Sequence, residues 1–191
     1  MSVAPLDDYA ALLEQAGRFH GHVCRGIETG TRMAMAGLKL LGIRDPRGAD
    51  RKKLIVFVEC DRCATDAIMA ATGCSPGKRS LKILDYGKMA ATFVNLETNR
   101  AVRLVSRGAR GEEPRPEVTA ITDEDLFAIT DVEVTLRPED LPGKPTRRAA
   151  CEACGERVMD GREVQRDGRV LCRPCAEGTR YYRPLTRPDV S

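Results

Sequence analysis

Four cysteines near the end of the chain, arranged as two Cys-x-x-Cys pairs, place the strongest constraint on its fold. Cys151 and Cys154 form the first pair, Cys172 and Cys175 form the second, and 17 residues separate the pairs. This spacing is typical of zinc modules, because each pair places two sulfurs on one side of an ion and two pairs complete a tetrahedron. Four thiolates leave no coordination position for a substrate. The sequence therefore predicts a structural Zn²⁺ at these four cysteines.

A proline-rich, charged stretch without apolar periodicity, RPEDLPGKPTRR, precedes the cysteine module and marks a domain boundary. We predict a core domain over residues 1–137, a linker over residues 138–148, and a zinc-finger domain with its tail over residues 149–191. The first segment is long enough for an ordinary hydrophobic core. The last has almost no apolar core, so it needs a metal to fold, which favours zinc over two dithiol redox centres.

Apolar periodicity predicts both helices and strands in the core domain, which makes it an α+β protein. Helical spacing runs over residues 9–16, where Gly17 is expected to loosen the chain, and again over residues 27–41. The run LIVFVE predicts a buried strand, followed by a helix over residues 64–72. Further strands are expected in LKILD, AATFVNLE, AVRLVS and, at a sheet edge, DVEVTL.

The second predicted helix carries four small residues. Such residues permit the close approach of another helix or of a second copy of the chain, and a crowded core within one chain explains them equally well. They are Gly30, Ala34, Ala36 and Gly37.

The two histidines of the chain, His20 and His22, lie with Cys24 in the segment FHGHVCRG. Imidazole and thiolate ligands suit Zn²⁺ or another borderline transition metal. Cys63 is expected where the LIVFVE strand leads into a helix, and the positive end of a helix lowers the pKa of a thiol. Because α/β proteins place their sites at strand ends of this kind, we predict that these four residues form a second metal site. Cys24 and Cys63 are also the candidate catalytic thiolates.

Two further side chains are candidates for catalysis, Asp66 as a proton acceptor and Lys78 as a compensating charge. An alternative treats Cys60 and Cys63 as a Cys-x-x-Cys redox pair at a strand-to-helix junction, which would make the chain a thiol oxidoreductase. The residues alone leave open whether the chain is an enzyme.

The net charge of +3 is too small to indicate a nucleic-acid or membrane partner. No run approaches the ~18–20 apolar residues that span a bilayer, and the first residues lack the features of a signal peptide. We therefore expect a cytoplasmic protein, in which paired cysteines serve metal or redox chemistry. A basic and aromatic surface for nucleic acid or a protein partner is the alternative function of the finger, and interspersed acidic residues disfavour it. That surface would comprise Arg166, Arg169, Arg173, Arg180, Tyr181, Tyr182 and Arg183.

Three core segments, FHGHVCRG, VECDRCATDAIMAATGCSPGK and LDYGKMAATFVN, followed by the cysteine module, resemble the FmdE family, which is named for formylmethanofuran dehydrogenase. The resemblance implies a thioredoxin-like core with a mixed sheet flanked by helices, a treble-clef type finger, and a homodimer formed through the core. It implies association with a molybdenum or tungsten formylmethanofuran dehydrogenase, as a redox or metal-handling accessory. It also implies one metal-holding site that gathers His20, His22, Cys24 and Cys63.

The sequence matches the family pattern at Cys74 and Lys78 and departs from it elsewhere. Arg25 stands where a proline follows the first cysteine, and this places a cation beside the expected site. Cys60 replaces a small polar residue, so that a vicinal thiol pair is available. Arg79 and Ser80 stand where glycine and asparagine are commoner.

Overall fold

The computed structural model describes residues 5–108 and 118–185. The chain divides into two compact units, Met1–Leu136 and Arg137–Ser191, each with a hydrophobic core of its own. Among the described residues, no helix is both long and apolar enough to cross a membrane.

Three helices dominate the first unit: α1 (Tyr9–His20), α2 (Arg25–Leu40) and α3 (Cys63–Thr72). Asp8 caps α1, because its carboxylate accepts a hydrogen bond from the backbone N–H of Ala11 at 2.9 Å. The expectation that Gly17 loosens the chain is wrong: Gly17 is buried within α1, where a Cβ would come within 2.7 Å of Val23. The helix instead ends at Gly21, whose φ of 101° suits glycine.

A five-stranded mixed sheet packs against these helices through one face. Its order is β2-β1-β3-β4-β5, in which β1 and β2 are parallel and every other neighbouring pair is antiparallel. This confirms the predicted α+β class, whereas the thioredoxin-like outline stays a prediction. The strands are β1 (Leu54–Val58), β2 (Leu81–Ile83), β3 (Ala90–Asn95), β4 (Arg100–Ser106) and β5 (Phe127–Val132).

The last strand of the sheet starts earlier than predicted. A short helix, α4 (Asp123–Leu126), begins after Thr122, whose hydroxyl accepts a hydrogen bond from the backbone N–H of Asp125 at 3.2 Å. β5 follows at once, because the buried Phe127 continues the core on the helix side of the sheet. The prediction of a strand over DVEVTL is therefore wrong over most of that segment. β5 is nevertheless an edge strand.

The small residues of α2 serve the crowded core of a single chain. A Cβ on Gly30 would come within 2.6 Å of the Ala64 Cα in α3, and one on Gly37 would come within 2.5 Å of the Phe93 ring in β3. Ala34 and Ala36 are buried beside them. These glycines therefore set how closely α2 approaches α3 and the sheet.

The second unit consists of two short hairpins and one helix around four buried or half-buried cysteines. Residues 138–148, predicted as a linker, lie within this unit. There Asp140 accepts hydrogen bonds from the guanidinium groups of Arg137, at 2.8 Å, and Arg162, at 3.0 Å. The elements are β6 (Arg148–Ala150), β7 (Arg157–Met159), β8 (Val164–Arg166), β9 (Arg169–Leu171) and α5 (Arg173–Glu177).

Candidate metal centres

The four cysteines of the second unit converge, as their spacing predicts. The sulfurs of Cys151, Cys154, Cys172 and Cys175 all lie within 4.8 Å of one another, and those of Cys154 and Cys172 are 3.9 Å apart. A tetrahedron with Zn–S bonds of ~2.3 Å has edges of about 3.8 Å. The donor set and its spacing therefore fit Zn²⁺.

Backbone turns hold the two halves of this centre. The first pair lies between β6 and β7, where Gly155, with φ at +74°, reverses the chain and donates its N–H to the Cys151 carbonyl at 2.8 Å. The second pair begins at Cys172, the N-cap residue of α5, and continues with Cys175 inside that helix. Each Cys-x-x-Cys pair therefore follows a hairpin strand.

The electrostatics of the four thiols favour a bound cation. Backbone N–H groups, that of Cys172 foremost, lower the pKa of Cys151 to about 6. The N–H of Glu156 acts to lower the pKa of Cys154, but burial and hydrogen bonds with the neighbouring thiols outweigh it and raise that pKa to about 12. The cluster therefore resists complete ionisation by itself, whereas a divalent metal allows all four sulfurs to be thiolates.

The core unit brings together three of its predicted metal ligands. One ligand atom each from His20, Cys24 and Cys63 lies within 4.8 Å of the other two, and all three side chains are half-buried. His20 is the last residue of α1, Cys24 is the N-cap residue of α2, and Cys63 is the first residue of α3. The group thus forms where three helix ends meet, and both thiols lie at positive helix N-termini.

Close packing of α2 on α3 holds the two thiols together. A Cβ on Gly26 would lie 2.9 Å from the Cys63 Cβ and 3.7 Å from the Cys24 Sγ, so only glycine fits without displacing them. A small hydrophobic cluster from all three helices packs against the two cysteines. Its buried members are Ala16, Ile27, Ala67 and Ala70.

Asp66 anchors the histidine of the group. Its Oδ2 lies 2.7 Å from His20 Nδ1, and Asp66 is one helical turn beyond Cys63 in α3. When Nδ1 donates its proton to this carboxylate, Nε2 is left unprotonated and available as a metal ligand. The sequence predicts a role in proton transfer for Asp66, and the structure instead gives it a position typical of a carboxylate that orients a ligating histidine.

The expected low pKa of Cys63 is wrong. A hydrogen bond with the Cys24 thiol, followed by burial, raises the pKa of Cys63. The helix N-terminus alone would lower that pKa, and the second thiol reverses the direction. Two adjacent thiols resist double ionisation, so the pair also becomes a better anion donor set when a cation lies between them.

Two predicted site residues lie outside this group. His22 is exposed, and its ring centroid is 4.8 Å from that of His20. Lys78 Nζ donates a hydrogen bond to the Gly73 carbonyl at 2.9 Å, beyond the far end of α3 from Cys63. A helix of that length separates its two ends by about 15 Å, so the structure does not bring Lys78 to the thiols.

The remaining core cysteines are buried and are not members of the group. Cys60 lies in the turn after β1, where its carbonyl accepts a hydrogen bond from the Thr65 hydroxyl at 2.7 Å. Cys74 lies beyond α3, and burial raises the pKa of its thiol. The cation of Arg25, one of the departures from the family pattern, pairs with Glu28 at 3.4 Å.

Comparison with known families assigns both units. The model of the family described as "FmdE, Molybdenum formylmethanofuran dehydrogenase operon" matches residues 19–134, which is more than half of the chain. The prokaryotic dksA/traR C4-type zinc finger matches residues 144–181. The four converging sulfurs lie inside this second match, so the finger is a structural zinc site.

Two individual proteins are similar to most of this chain. A "Probable S-adenosyl-L-methionine-binding protein" from Archaeoglobus fulgidus is 29% identical over 213 residues, covering 96% of this chain and 57% of that protein. The chain thus spans little more than half of that relative's length.

The second similar protein is known from its crystal structure, a tungsten formylmethanofuran dehydrogenase FmdE-like protein from Syntrophus aciditrophicus. It aligns with a TM-score of 0.56 and 21% identity, over 95% of this chain and all of the other. That likeness shows a shared fold. The chain belongs to the FmdE family, and it is a metal-binding protein by virtue of the four-cysteine zinc finger that follows its family core.

Proposed function

We propose that the core of this protein binds a second transition metal, with Zn²⁺ as the first candidate, through His20, Cys24 and Cys63. We further propose that it acts as a redox or metal-handling accessory to a molybdenum or tungsten formylmethanofuran dehydrogenase-type system. The observation that carries the proposal is the convergence of three ligand atoms from three separate helix ends.

The chemistry of the group suits a working metal better than a structural one. One imidazole and two thiolates are a donor set for Zn²⁺ or a similar borderline ion. Three protein ligands leave a coordination position for a small molecule or for a ligand of an accepting protein. When bound, the ion supplies Lewis acidity or serves as the cargo of a transfer. The chain itself supplies the ligands and, through Asp66, the orientation of His20.

The surface beside the group supports a protein partner. Phe19 is 56% exposed and Val23 is 50% exposed, and these two apolar side chains flank the segment that carries His20 and Cys24. Such exposed apolar surface next to a site is typical of contact regions. We propose that the core pairs with a second copy of the chain and that the accessory role uses the same end of the unit. The family description and the name of the Syntrophus protein supply the formylmethanofuran dehydrogenase system as the first partner to test.

Metal analysis of variants tests the ligand set. The wild-type protein, reloaded with Zn²⁺ and freed of excess metal, is expected to hold two ions per chain. Cys63→Ser and Cys24→Ser should each hold one ion and keep the finger folded. A wild-type protein that holds one ion, with no further loss in Cys63→Ser, would overturn the proposal.

Two variants serve as matched controls. His22→Ala removes the exposed histidine two residues from His20, and Cys74→Ala removes a buried thiol at the far end of α3. Both should retain two ions. If Cys74→Ala loses the same ion as Cys63→Ser while both remain folded, the ligand assignment is wrong.

The accessory role needs a separate readout. The zinc-loaded chain and purified formylmethanofuran dehydrogenase should co-elute on a sizing column, and light scattering of the chain alone should report twice the mass of one copy. Metal loss in Cys63→Ser together with no co-elution of the wild-type chain would leave the metal site standing and remove the partner.

A further inference from the structure

A cavity of about 670 Å³ lies in the core unit, away from both metal centres. The outer side of α2, the turn that follows it, the residues before α1, and the start of α4 form its walls. Its volume falls in the range of small-molecule pockets, ~300–1,000 Å³. The proposed metal chemistry makes no use of it.

The helix α2 separates this cavity from the thiols. Arg32, Met35, Ala36 and Lys39 line the cavity and follow one another at helical spacing, so that they form one stripe. Arg32 lies two residues beyond Gly30, which faces α3, and two residues correspond to about 200° around a helix. The cavity and the Cys/His group therefore lie on opposite sides of α2.

The charges of the cavity divide into a structural pair and a free set. Arg32 donates hydrogen bonds to Asp123 Oδ1 at 2.6 Å and to the Val118 carbonyl at 2.7 Å, so its charge is satisfied within the wall. Lys39 and Arg44 are exposed, and neither side chain forms a hydrogen bond or ion pair with any residue that the structure describes. Asp7 is the other carboxylate of the lining. A ligand therefore meets one excess positive charge.

The remaining lining gives the cavity an apolar side, formed by Leu6, Met35, Ala36 and Ile43. We propose that the cavity binds a small amphiphile with one anionic head group, a carboxylate or a phosphate monoester. The apolar body packs on Met35, Ala36 and Ile43, and the head group lies between Lys39 and Arg44. This arrangement accommodates an anion because it pairs two cations that have no partner among the described residues.

Three probes with the same eight-carbon tail test the proposal: octanoate, octyl phosphate and octylammonium. Titration of the ¹⁵N-labelled full chain should shift the amide signals of Met35, Ala36 and Gly42 with the two anions. The cationic probe should bind at least tenfold more weakly. The stronger of the two anionic probes identifies the head group. Equal binding of all three probes, or shifts confined to other surfaces, would overturn the proposal.

Variants separate this site from general surface charge. Lys39→Glu combined with Arg44→Glu should weaken octanoate at least tenfold, and Ala36→Trp, which fills the cavity, should abolish the shifts. Arg51→Glu combined with Lys52→Glu makes the same change of charge outside the lining and should leave binding unchanged. An equal loss in both double variants would refute the site. Since α2 lies between the two sites, Cys63→Ser should bind octanoate like the wild type.

Discussion

Gly26 and Cys63 pack so closely that the backbone of α2 lies directly against the side chain that begins α3, with 2.9 Å separating an added Cβ from the Cys63 Cβ. A methyl group at this point must displace a thiol. The contact therefore couples the packing of two helices to the geometry of the proposed metal site.

Gly26→Ala should weaken the core metal at least tenfold while the finger keeps its zinc. Alanine is favoured over glycine in a helix by about 1 kcal/mol, so a loss of metal without a loss of fold would identify the displaced thiols as the cause. Chelator competition followed by metal analysis measures both sites. Gly77→Ala is the matched control, since a Cβ there meets nothing within 4 Å. Equal metal affinity in the wild type and in Gly26→Ala would contradict the proposed site.

Asp66→Asn should lower the affinity of the core site for Zn²⁺ by roughly 10- to 100-fold, the usual effect of removing a carboxylate that orients a ligating histidine. The amide keeps the shape of the side chain and loses its charge. Competition with a chromophoric chelator gives the affinity. Asp61→Asn changes an exposed carboxylate in the turn before α3 and should have no effect. If the two variants behave alike, Asp66 does not orient His20.

Glu59, at the end of β1, forms a bidentate pair with Arg103 of β4, with distances of 2.6 and 2.7 Å. The guanidinium holds the pKa of Glu59 below its usual range. A carboxyl with a lowered folded-state pKa stabilises the fold above its unfolded pKa, and this contribution is lost as the pH falls through the folded value. Stability should therefore decrease as the pH drops below the ordinary glutamate range, about 4.3.

Glu59→Gln should lower the free energy of unfolding of the core by about 1–3 kcal/mol at pH 7, because a partly exposed charged pair is lost. It should also flatten the decrease in stability at pH values below about 4.3. Urea unfolding from neutral to acidic pH measures both effects. A decrease as steep in Glu59→Gln as in the wild type would assign the acid sensitivity to other carboxyls.

Removal of zinc from the finger should unfold the second unit and leave the first folded. The hydrophobic cluster of the finger consists of its cysteines and a few apolar residues, which is too little to fold without the metal. Cys172→Ala should abolish the dispersed amide signals of residues 144–181 while those of the sheet stay in place. A finger that keeps its dispersed signals in Cys172→Ala would show that zinc is not what holds it.

The parts of the protein that can be predicted are those set by local sequence. Two Cys-x-x-Cys pairs define a tetrahedral centre through their own turns, so the spacing alone identifies all four ligands. A short apolar strand followed by a helix forces Cys63 to the helix start, and the structure places it there. The same reasoning joins it to Cys24, since both precede helices that must pack side by side.

The remaining features depend on distances that spacing does not encode. The family pattern groups Lys78 with Cys63, but the length of α3 separates the two. Asp66 reaches His20 because α1 packs on α3, and no local pattern indicates that contact. The cavity along α2 draws its walls from four stretches of chain, and charge counts over the sequence do not reveal it. The pKa of Cys63 depends on Cys24, a neighbour that lies far earlier in the chain.

His20, Cys24 and Cys63 all precede Thr72, where α3 ends, whereas β3, β4 and β5 follow it. During synthesis the complete ligand set therefore leaves the ribosome before most of the sheet exists. Loops between these ligands are closed by helix packing, which is local and fast compared with the pairing of distant strands. A nascent chain of this protein thus presents its two thiols and its imidazole to cellular metal before the hydrophobic face of α2 has a sheet to pack against.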